Sequence, residues 1–390
     1  MHTAAFLILC SAVLLSCKRT TSHAELGTVS LDSLKQLYAP DSRVAVYDLA
    51  VQQRGEKVVL KGEVDNLKAK EASLTAIRES TGADVLDSVR VLPDAQIGEK
   101  QYGIVSVSVG NLRTRPGHAN ELCTQALMGT VVRLLKKTEG WYFVQLPDRY
   151  LGWIEASAVK TTSAEGVDAW KSSRKVIVTT FFTFVREHQA EMAQTVSDAV
   201  MGGLMQFLSH RGTWTEVGLP DGRHGYIEST AVSDFDTWKK TRKLTPGNIE
   251  KTAKMFVGIP YLWGGTSIKG MDCSGFTKTV FRLNGLELNR DADQQARMGE
   301  AIDPGKDFKE LKKGDLLFFG RRASADKQEN ITHVGIYLEK GEFIHSPGGA
   351  GVKLNSFYPS AANYSEYERN RFVRARRVIG INQIPEIAKE

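Results

Sequence analysis

An internal repeat between residues 105 and 240 is the feature that most constrains the fold of this chain. Its matching residues lie 73 positions apart. Self-similarity at one fixed offset indicates two copies of a single structural unit. The matched pairs are Met128 and Met201, Gly129 and Gly202, Trp141 and Trp214, Leu146 and Leu219, Pro147 and Pro220, Asp148 and Asp221, Gly152 and Gly225, Ile154 and Ile227, and Glu155 and Glu228. Any fold for the chain must therefore contain this unit twice.

Each copy alternates short β-rich runs with turns, such as Pro147-Asp148 in the first copy and Asp221-Gly222 in the second. Each copy also ends in a Gly-aromatic-Ile-Glu run, as expected for the last strand of a small barrel. The pattern resembles the tandem bacterial SH3-like domains that are attached to cell-wall enzymes. We therefore predict SH3-like barrels at residues 103–163 and 176–240. Helix-prone residues from Ala190 to Val200 replace strand-like sequence in the second copy, so we expect that barrel to be altered there.

The length of 390 residues, at about 150 residues per domain, leaves room for two to three folded units. A hydrophobic share of 42% and a charged share of 25% disfavour disordered and multi-span membrane proteins. The net charge of +6 is spread along the chain, so it does not indicate a nucleic acid partner, and we predict none. Four cysteines cannot form a disulfide scaffold in a chain of this length, so each is interpreted individually.

The N-terminal apolar run from Phe6 to Leu15 is about half as long as a membrane-spanning helix, which indicates a signal peptide at residues 1–16. The run ends in Leu14-Leu15-Ser16-Cys17, which resembles the lipobox of bacterial lipoproteins. The resemblance implies that Cys17 receives a lipid and that residues 17–27 form a tether. A plain cleaved signal and an ordinary buried Cys17 are the alternatives. We expect an exported lipoprotein, anchored to a membrane of the cell envelope in the periplasm.

Residues 28–97 have the pattern of a small α/β unit. A short helical stretch precedes a strand over Val58–Val64, a helix over Leu67–Thr81 and a strand over Val85–Leu92. We find no catalytic motif in this unit and predict a structural or positioning role for it.

Residues 245–380 form a further domain that contains a candidate nucleophile. After a loop rich in glycine and aromatic residues comes Asp272-Cys273-Ser274-Gly275, followed by Phe276, Val280 and Leu283 at helical spacing. Cys273 therefore opens a helix. Free amide groups and the helix dipole at this end stabilise a thiolate, so we expect a thiol pKa below about 8.5.

Two histidines downstream are candidates for the partners of this thiol. His333 begins a strand, a turn follows at residues 339–342, and His345 lies on the return strand. In an antiparallel hairpin with a turn centred near residues 339–340, His345 lies within a step of the position opposite His333, so the two rings can touch. A thiol with two histidines supplies a nucleophile, a base and a group that orients the base.

Several motifs together resemble the NlpC-type peptidases of the NlpC/P60 superfamily, cell-wall cysteine peptidases with a papain-like α+β fold. They are Tyr261-Leu-Trp263-Gly-Gly, Asp272-Cys273-Ser274-Gly275, Gly314-Asp315-Leu316, His333-Val-Gly-Ile and His345-Ser346. With the SH3-like pair, the order of domains resembles the dipeptidyl-peptidase VI subgroup of γ-D-glutamyl-L-diamino acid endopeptidases. Asn111-Leu-Arg113, Pro116, His118 and Glu121-Leu122 in the first copy also look like that subgroup.

This resemblance implies a role for each matching residue. Cys273 is the nucleophile, His333 the general base and later acid, and His345 holds the His333 ring. The Tyr261 hydroxyl and the Cys273 N–H form the oxyanion hole. The implied cleft residues are Trp263, Asp272 and Ser274. Where relatives carry a serine, this chain has Ala292, so a substrate hydrogen bond is missing or comes from Asp291 or Asp293.

The first barrel is expected to contribute to substrate binding. If it packs over the cleft, as the resemblance implies, Glu121 can pair with the free α-amino group of an N-terminal L-alanine. Tyr150 and Trp153, near the last strand of this barrel, are further ligand candidates. Most of the aromatic residues at repeated positions, Trp141, Trp153, Trp214 and Tyr226, are expected in the core, and Cys123 is expected to be buried.

The sequence predicts a thiol endopeptidase that acts on the γ-D-glutamyl-L-diamino acid bond of peptidoglycan stem peptides or released muropeptides. We predict no cofactor and no metal, because no histidine pair has ligand spacing on a helix and no Cys-x-x-Cys pair occurs. We expect a monomer. The alternatives are a lipoprotein that only binds cell-wall peptides, and an NlpC-type amidase or acyltransferase with another amide substrate.

Overall fold

A computed structural model describes residues 23–55 and 57–380, with side chains from residue 31. The predicted signal peptide and Cys17 lie outside the described residues. The chain divides into two compact units: one is formed by residues up to Ser42 and by Val46–Val91, and the other by Arg43–Ala45 and the chain from Leu92 onward. Among the residues described, no helix is both long and apolar enough to cross a membrane.

The first unit is a three-stranded sheet with two helices. Its strands are in the order β1-β2-β3, with β1 antiparallel and β3 parallel to β2. Its elements are α1 (His23–Tyr38), β1 (Tyr47–Arg54), β2 (Lys57–Val64), α2 (Leu67–Thr81) and β3 (Val85–Val91). The α2 helix coincides with the predicted one, because Asn66 caps its first turn and Gly82 ends it with a left-handed backbone.

Two expectations for this part of the chain need correction. Residues 23–27, which we assigned to the tether, belong to α1, since Ala24, Glu25 and Leu26 are good helix formers. The sequence analysis did not assign strand β1, of which only the first residue, Tyr47, is buried.

The second unit begins with a seven-stranded antiparallel sheet in the order β10-β4-β7-β8-β9-β5-β6. Its inward side chains, including Leu112, Val132, Val144 and Ile154, form one buried cluster. The strands are β4 (Tyr102–Val105), β5 (Val109–Arg113), β6 (Leu122–Leu127), β7 (Val131–Thr138), β8 (Trp141–Gln145), β9 (Leu151–Glu155) and β10 (Val159–Thr162).

A second seven-stranded sheet follows after helix α3 (Ala164–Ser172) and repeats the topology of the first. Its order is β17-β11-β14-β15-β16-β12-β13, so each strand takes the place of the strand seven earlier. The strands are β11 (Lys175–Val178), β12 (Phe182–Arg186), β13 (Thr195–Val200), β14 (Leu204–Arg211), β15 (Trp214–Gly218), β16 (His224–Glu228) and β17 (Val232–Asp234). The sequence repeat is therefore a repeat of strand order.

The expected loss of strand structure near residues 190–200 is wrong for β13. This strand pairs with β12 and buries Ala199 and Val200 in the core of the second sheet. Pairing and burial thus outweigh the helix propensity of the segment.

The C-terminal part of the second unit combines a six-stranded antiparallel sheet, in the order β20-β25-β21-β22-β23-β24, with helices on its face. Apolar residues of α6, such as Phe276 and Val280, share a buried cluster with Val334, Ile336 and Ile344 of the sheet. The elements are α4 (Phe235–Thr241), α5 (Pro246–Met255), β18 (Thr266–Ser267), β19 (Gly270–Met271), α6 (Cys273–Arg282), α7 (Ala292–Gln295), β20 (Glu300–Ile302), β21 (Leu316–Arg321), β22 (Asn330–Tyr337), β23 (Glu342–His345), β24 (Lys353–Ser356), α8 (Glu366–Arg371) and β25 (Phe372–Arg377). The chain is thus multidomain, with helices and sheets mixed, as expected.

Candidate active site

Cys273 is the first residue of α6, as the sequence predicts. The Asp272 carboxylate caps the helix by accepting a hydrogen bond of 2.7 Å from the Gly275 N–H. A Cβ at position 275 would lie 2.0 Å from the Gly265 carbonyl oxygen, so only glycine allows the preceding loop to pack on the helix start. The helix thus fixes the thiol against the adjoining sheet, next to the Val334 N–H.

The expected low pKa of this thiol is wrong. Burial, followed by the charge of Asp272, raises the pKa of Cys273 to about 12. The amide groups at the helix start lower it, but they act on a group that is 9% exposed, and desolvation of the thiolate is the larger effect. Cys273 is therefore a protonated thiol at neutral pH and needs a base.

His333 and His345 are the candidates for that base and its partner. In the hairpin of β22 and β23, His345 lies directly opposite Gly335, so His333 is its diagonal neighbour two residues away on the same face. His333 Nε2 and His345 Nδ1 are 2.7 Å apart. The hairpin is centred on residue 340, at one end of the predicted range, and His345 lies two residues from the position opposite His333. This even offset puts both rings on one face, as expected, because side chains alternate along a strand.

Asn355 of β24 completes the chain of hydrogen bonds, and the sequence analysis missed it. Its Nδ2 donates to the Asn363 carbonyl at 2.8 Å, and its Oδ1 lies 2.9 Å from His345 Nε2. Because an amide oxygen only accepts, His345 Nε2 carries the proton and His345 Nδ1 accepts from His333 Nε2. The unprotonated nitrogen of neutral His333 is then Nδ1, which is the atom able to accept a proton.

Both rings are neutral at physiological pH. Burial, with the neighbouring His345 and Arg371, lowers the pKa of His333 well below 6.5. Burial lowers the pKa of His345 to about 4, although the hydrogen bond to Asn355 acts in the opposite direction. His333 is therefore available to accept a proton throughout the neutral range.

The Tyr261 hydroxyl is a hydrogen-bond donor at this site. Burial, followed by the nearby Cys273 and Asp272, raises the pKa of Tyr261 to about 12. The hydroxyl thus remains protonated, as the predicted oxyanion-hole role requires.

Arg290 is a second residue that the sequence analysis did not assign. Its side chain is 1% exposed and donates to both oxygens of Asp272, at 3.1 and 2.6 Å, and to Ser274 Oγ at 2.9 Å. A fourth bond, of 3.0 Å, reaches Thr124 of the first sheet. Asp272 and Ser274, which we expected to line the cleft, are buried and bound to Arg290.

The first seven-stranded sheet packs against the loop before Cys273. The Trp263 indole N–H donates to Glu121 Oε1 at 2.7 Å, and the Thr266 N–H donates to Gln125 Oε1 at 3.0 Å. Gly264 has a φ of +76°, and a Cβ there would lie 2.3 Å from the Leu122 carbonyl oxygen, so glycine is required for this approach. Glu121 and Trp263 therefore lie together, at the contact between the first sheet and this loop.

The two aromatic ligand candidates have different positions. The Tyr150 hydroxyl donates to Asp291 Oδ2 at 2.9 Å, beside Arg290. Trp153 instead contacts Phe143, at 5.2 Å between ring centroids, and Lys136 on its own sheet, so its predicted ligand role has no support from the structure. The repeated aromatic residues are half-buried rather than core residues, which corrects that expectation for Trp141, Trp153, Trp214 and Tyr226.

Glu368 is a further titratable group near the histidines. Potential ligand atoms of His333, His345 and Glu368 lie within 4.8 Å of one another. Glu368 forms an ion pair of 3.6 Å with Arg371, and burial raises the pKa of Glu368. The two histidines are occupied by the hydrogen bonds described above.

Two family profiles match the chain. One described as NlpC/P60 family matches residues 258–377, and one described as bacterial dipeptidyl-peptidase Sh3 domain matches residues 112–159. The first covers the described thiol and both histidines, and the second covers most of the first seven-stranded sheet.

Individual relatives show the same similarity. A gamma-D-glutamyl-L-lysine dipeptidyl-peptidase of Bacillus cereus is 29% identical over 238 residues, which is 59% of this chain and 68% of the relative. A probable endopeptidase NlpC of Escherichia coli is 38% identical over 122 residues, which is 31% of this chain and 70% of the relative. The crystal structure of an NlpC/P60 family protein from Bacillus cereus is similar in fold, with a TM-score of 0.60 at 24% identity, and covers 71% of this chain and 99% of that chain.

Proposed function

The chain belongs to the NlpC/P60 family and is a cysteine peptidase of that type, and we propose that it hydrolyses the γ-D-glutamyl-L-diamino acid bond of peptidoglycan stem peptides. The name of the Bacillus cereus relative supports this bond, since that protein is a gamma-D-glutamyl-L-lysine dipeptidyl-peptidase. The observation that carries the proposal is the hydrogen bond of 2.7 Å between Glu121 and Trp263, which brings an SH3-like surface to the catalytic loop.

Cleavage starts at the protonated thiol. The Cys273 sulfur attacks the γ-carbonyl carbon of D-glutamate while His333 Nδ1 takes the thiol proton. The His333 imidazolium keeps its Nε2–H bond to His345, whose ring is fixed by Asn355. The Tyr261 hydroxyl and the Cys273 N–H donate to the oxygen that becomes negative.

The tetrahedral intermediate then collapses. The C–N bond breaks, and His333 gives its proton to the leaving amine of the diamino acid, which leaves a thioester on Cys273. Water attacks the thioester while His333 takes a proton from that water. The C–S bond then breaks, His333 gives the proton to the leaving sulfur, and the peptide acid and the Cys273 thiol are released.

We propose further that the substrate carries a free N-terminal L-alanine. The Glu121 side chain is exposed and accepts from Trp263 through Oε1, so the carboxylate is fixed beside the cleft and can pair with an ammonium group. An alanine amide-linked to muramic acid has no such charge, and its sugar would meet the first barrel.

The test compares L-Ala-γ-D-Glu-L-Lys with its N-acetylated form, with products identified by mass spectrometry. Glu121→Gln should lower kcat/KM for the free peptide by about 10 to 100-fold, because a charge-assisted hydrogen bond is lost. Glu139→Gln, at an exposed turn of the same sheet, is the control and should not change it. The alkylation rate of Cys273 should be unaltered in both variants. Equal wild-type rates on the two peptides would refute the preference for a free amine.

The remaining assignments are also proposals. We assign the second seven-stranded sheet to a second SH3-like barrel, because it has the strand order of the first. We propose that Cys17 is lipidated and anchors an exported, monomeric enzyme at the cell envelope, as the lipobox-like sequence favours.

A further inference from the structure

An acidic pair beside the cleft is already bound to a cation of the same chain. Arg43 Nη1 donates to Asp291 Oδ2 at 2.8 Å and to Asp293 Oδ1 at 2.7 Å, and Nη2 donates to Asp293 Oδ2 at 2.8 Å. These are charge-assisted hydrogen bonds between partly buried groups. Asp291 and Asp293 flank Ala292, the position at which the chain departs from the family pattern.

Asp291 lies next to the catalytic residues. Its chain neighbour Arg290 binds Asp272 and Ser274, which flank the nucleophile on both sides. The Tyr150 hydroxyl from the first sheet, which also carries Glu121, donates to Asp291 Oδ2 at 2.9 Å. Asp291 is thus a carboxylate of the same cleft region.

Arg43 is held in this place by its backbone. The Leu151 N–H donates to the Arg43 carbonyl at 2.8 Å, and Gln145 Nε2 donates to the Val44 carbonyl at 3.1 Å. Residues Arg43–Ala45 fold with the second unit. The Arg43 side chain is 34% exposed, so the guanidinium can leave the acidic pair while its backbone stays bound.

We propose that Arg43 is a specificity-determining residue that competes with the α-ammonium group of the substrate for Asp291. The inference rests on the proposed function, because it concerns the amine of the same peptides. The two hydrogen bonds to Asp291 Oδ2, from Arg43 and Tyr150, use both lone pairs of that oxygen. An ammonium group can therefore take this oxygen only after Arg43 leaves, and Glu121 remains the carboxylate available at first contact.

This competition weakens the binding of free-amine peptides. When a site is open for only a fraction of the time, the apparent affinity is the intrinsic affinity multiplied by that fraction. Removal of the Arg43 charge should therefore strengthen binding of the free peptide by about fivefold to tenfold, if the site is open about a tenth to a fifth of the time. An N-acetylated peptide carries no competing cation, so its binding should not change.

The experiment measures KM and kcat for L-Ala-γ-D-Glu-L-Lys and for its N-acetylated form. Arg43→Met, and Arg43→Gln as a second variant, should lower KM for the free peptide about fivefold to tenfold, with kcat within about twofold. Addition of Asp291→Asn should abolish this gain. The matched control is Arg297→Met, because Arg297 binds Asp293 at 3.2 Å but is 71% exposed, and it should change neither KM.

Calorimetry with L-alaninamide, in a Cys273→Ala background, provides a second measurement that needs no cleavage. Its affinity should rise in Arg43→Met and return to the starting value with Asp291→Asn. Unchanged or weaker binding of L-alaninamide, or an equal change of KM for both peptides, would mean that Arg43 only fastens the segment Arg43–Ala45 and would overturn the inference. Should the wild type cleave neither peptide, the proposed function fails, and the calorimetry still decides the role of Arg43.

Discussion

The ion pair between Arg290 and Asp272 is the contact whose loss should destabilise the peptidase domain most, and Arg290→Met isolates it. Arg290 is 1% exposed, and its shortest bond to Asp272 is 2.6 Å. Methionine keeps an apolar side chain of similar length but leaves the Asp272 carboxylate buried without its cation. Asp272 retains the Gly264 and Gly275 N–H groups, at 2.9 and 2.7 Å, which compensate only part of that loss.

The expected magnitude follows from this burial. Removing one partner of a buried ion pair costs about 3–5 kcal/mol, because the other charge stays desolvated. Arg290→Met also deletes the bond to Thr124, which joins the first sheet to this domain, so we expect the upper half of that range. By contrast, Arg297→Met removes an ion pair from a 71% exposed side chain and should cost less than about 0.5 kcal/mol.

The assay is urea unfolding followed by circular dichroism, together with alkylation of the buried Cys273 thiol as a function of urea. The double variant Arg290→Met with Asp272→Asn should recover about 2 kcal/mol relative to Arg290→Met alone, because it removes the uncompensated charge. A loss below about 1 kcal/mol in Arg290→Met, or a double variant no more stable than the single one, would refute this reasoning.

Four further outcomes concern the thiol, the histidines and the anchor. In the pH profile of kcat/KM, the acidic limb should have its midpoint below pH 6.5. His333 has a lowered pKa, so it stays a neutral base until the pH falls below that pKa. A midpoint at or above pH 6.5 contradicts this expectation. Asn355→Ala should lower kcat about tenfold with KM little changed, which is the equivalent of losing one hydrogen bond to the His333–His345 pair. Asn355→Asp should instead move the acidic limb of the pH profile to higher pH, because a carboxylate favours charged His345. Steady-state kinetics as a function of pH distinguish the two variants. Iodoacetamide alkylation of Cys273 should rise steadily with pH above 7, and a plateau below pH 7 would show a preformed thiolate. Cys17→Ser should release the protein from membranes, and a wild-type mass without lipid would exclude the anchor.

The parts of the site that the sequence predicts are those set by short-range patterns. The start of α6 follows from an aspartate cap and helical apolar spacing, and the hairpin follows from alternation on both sides of a turn. The turn between β22 and β23 contains Lys340 and Gly341 with positive φ, which spacing alone does not specify. The predicted turn centre at residues 339–340 left the exact partner of His345 open, and the structure pairs His345 with Gly335, which keeps both rings on one face.

Asn355 lies only ten positions from His345, on the adjoining strand β24, but spacing alone does not specify that pairing. Arg290 and Arg43 could not be assigned from the sequence for a different reason. Their partners lie far away in the chain: Arg43 and Asp291 are 248 positions apart, and Arg290 and Thr124 are 166 positions apart. No periodic pattern connects such residues, and each alone resembles an ordinary polar residue of a loop or strand end. Only the packing of the first sheet on the catalytic loop brings them together.

Burial also determines the order of events in the reaction. Burial raises the pKa of the Cys273 thiol and lowers the pKa of His333, so both groups favour the neutral form in the resting enzyme. In the mechanism proposed above, the proton therefore moves as sulfur bonds to carbon, when the negative charge passes to the oxygen that the Tyr261 hydroxyl and the Cys273 N–H are proposed to stabilise, by roughly 3 kcal/mol each. The hydrogen bonds from His333 Nε2 to His345 and from His345 to Asn355 keep His333 Nδ1 unprotonated until that moment. His345 and Asn355 thus position His333 as a weak base and do not raise the pKa of His333.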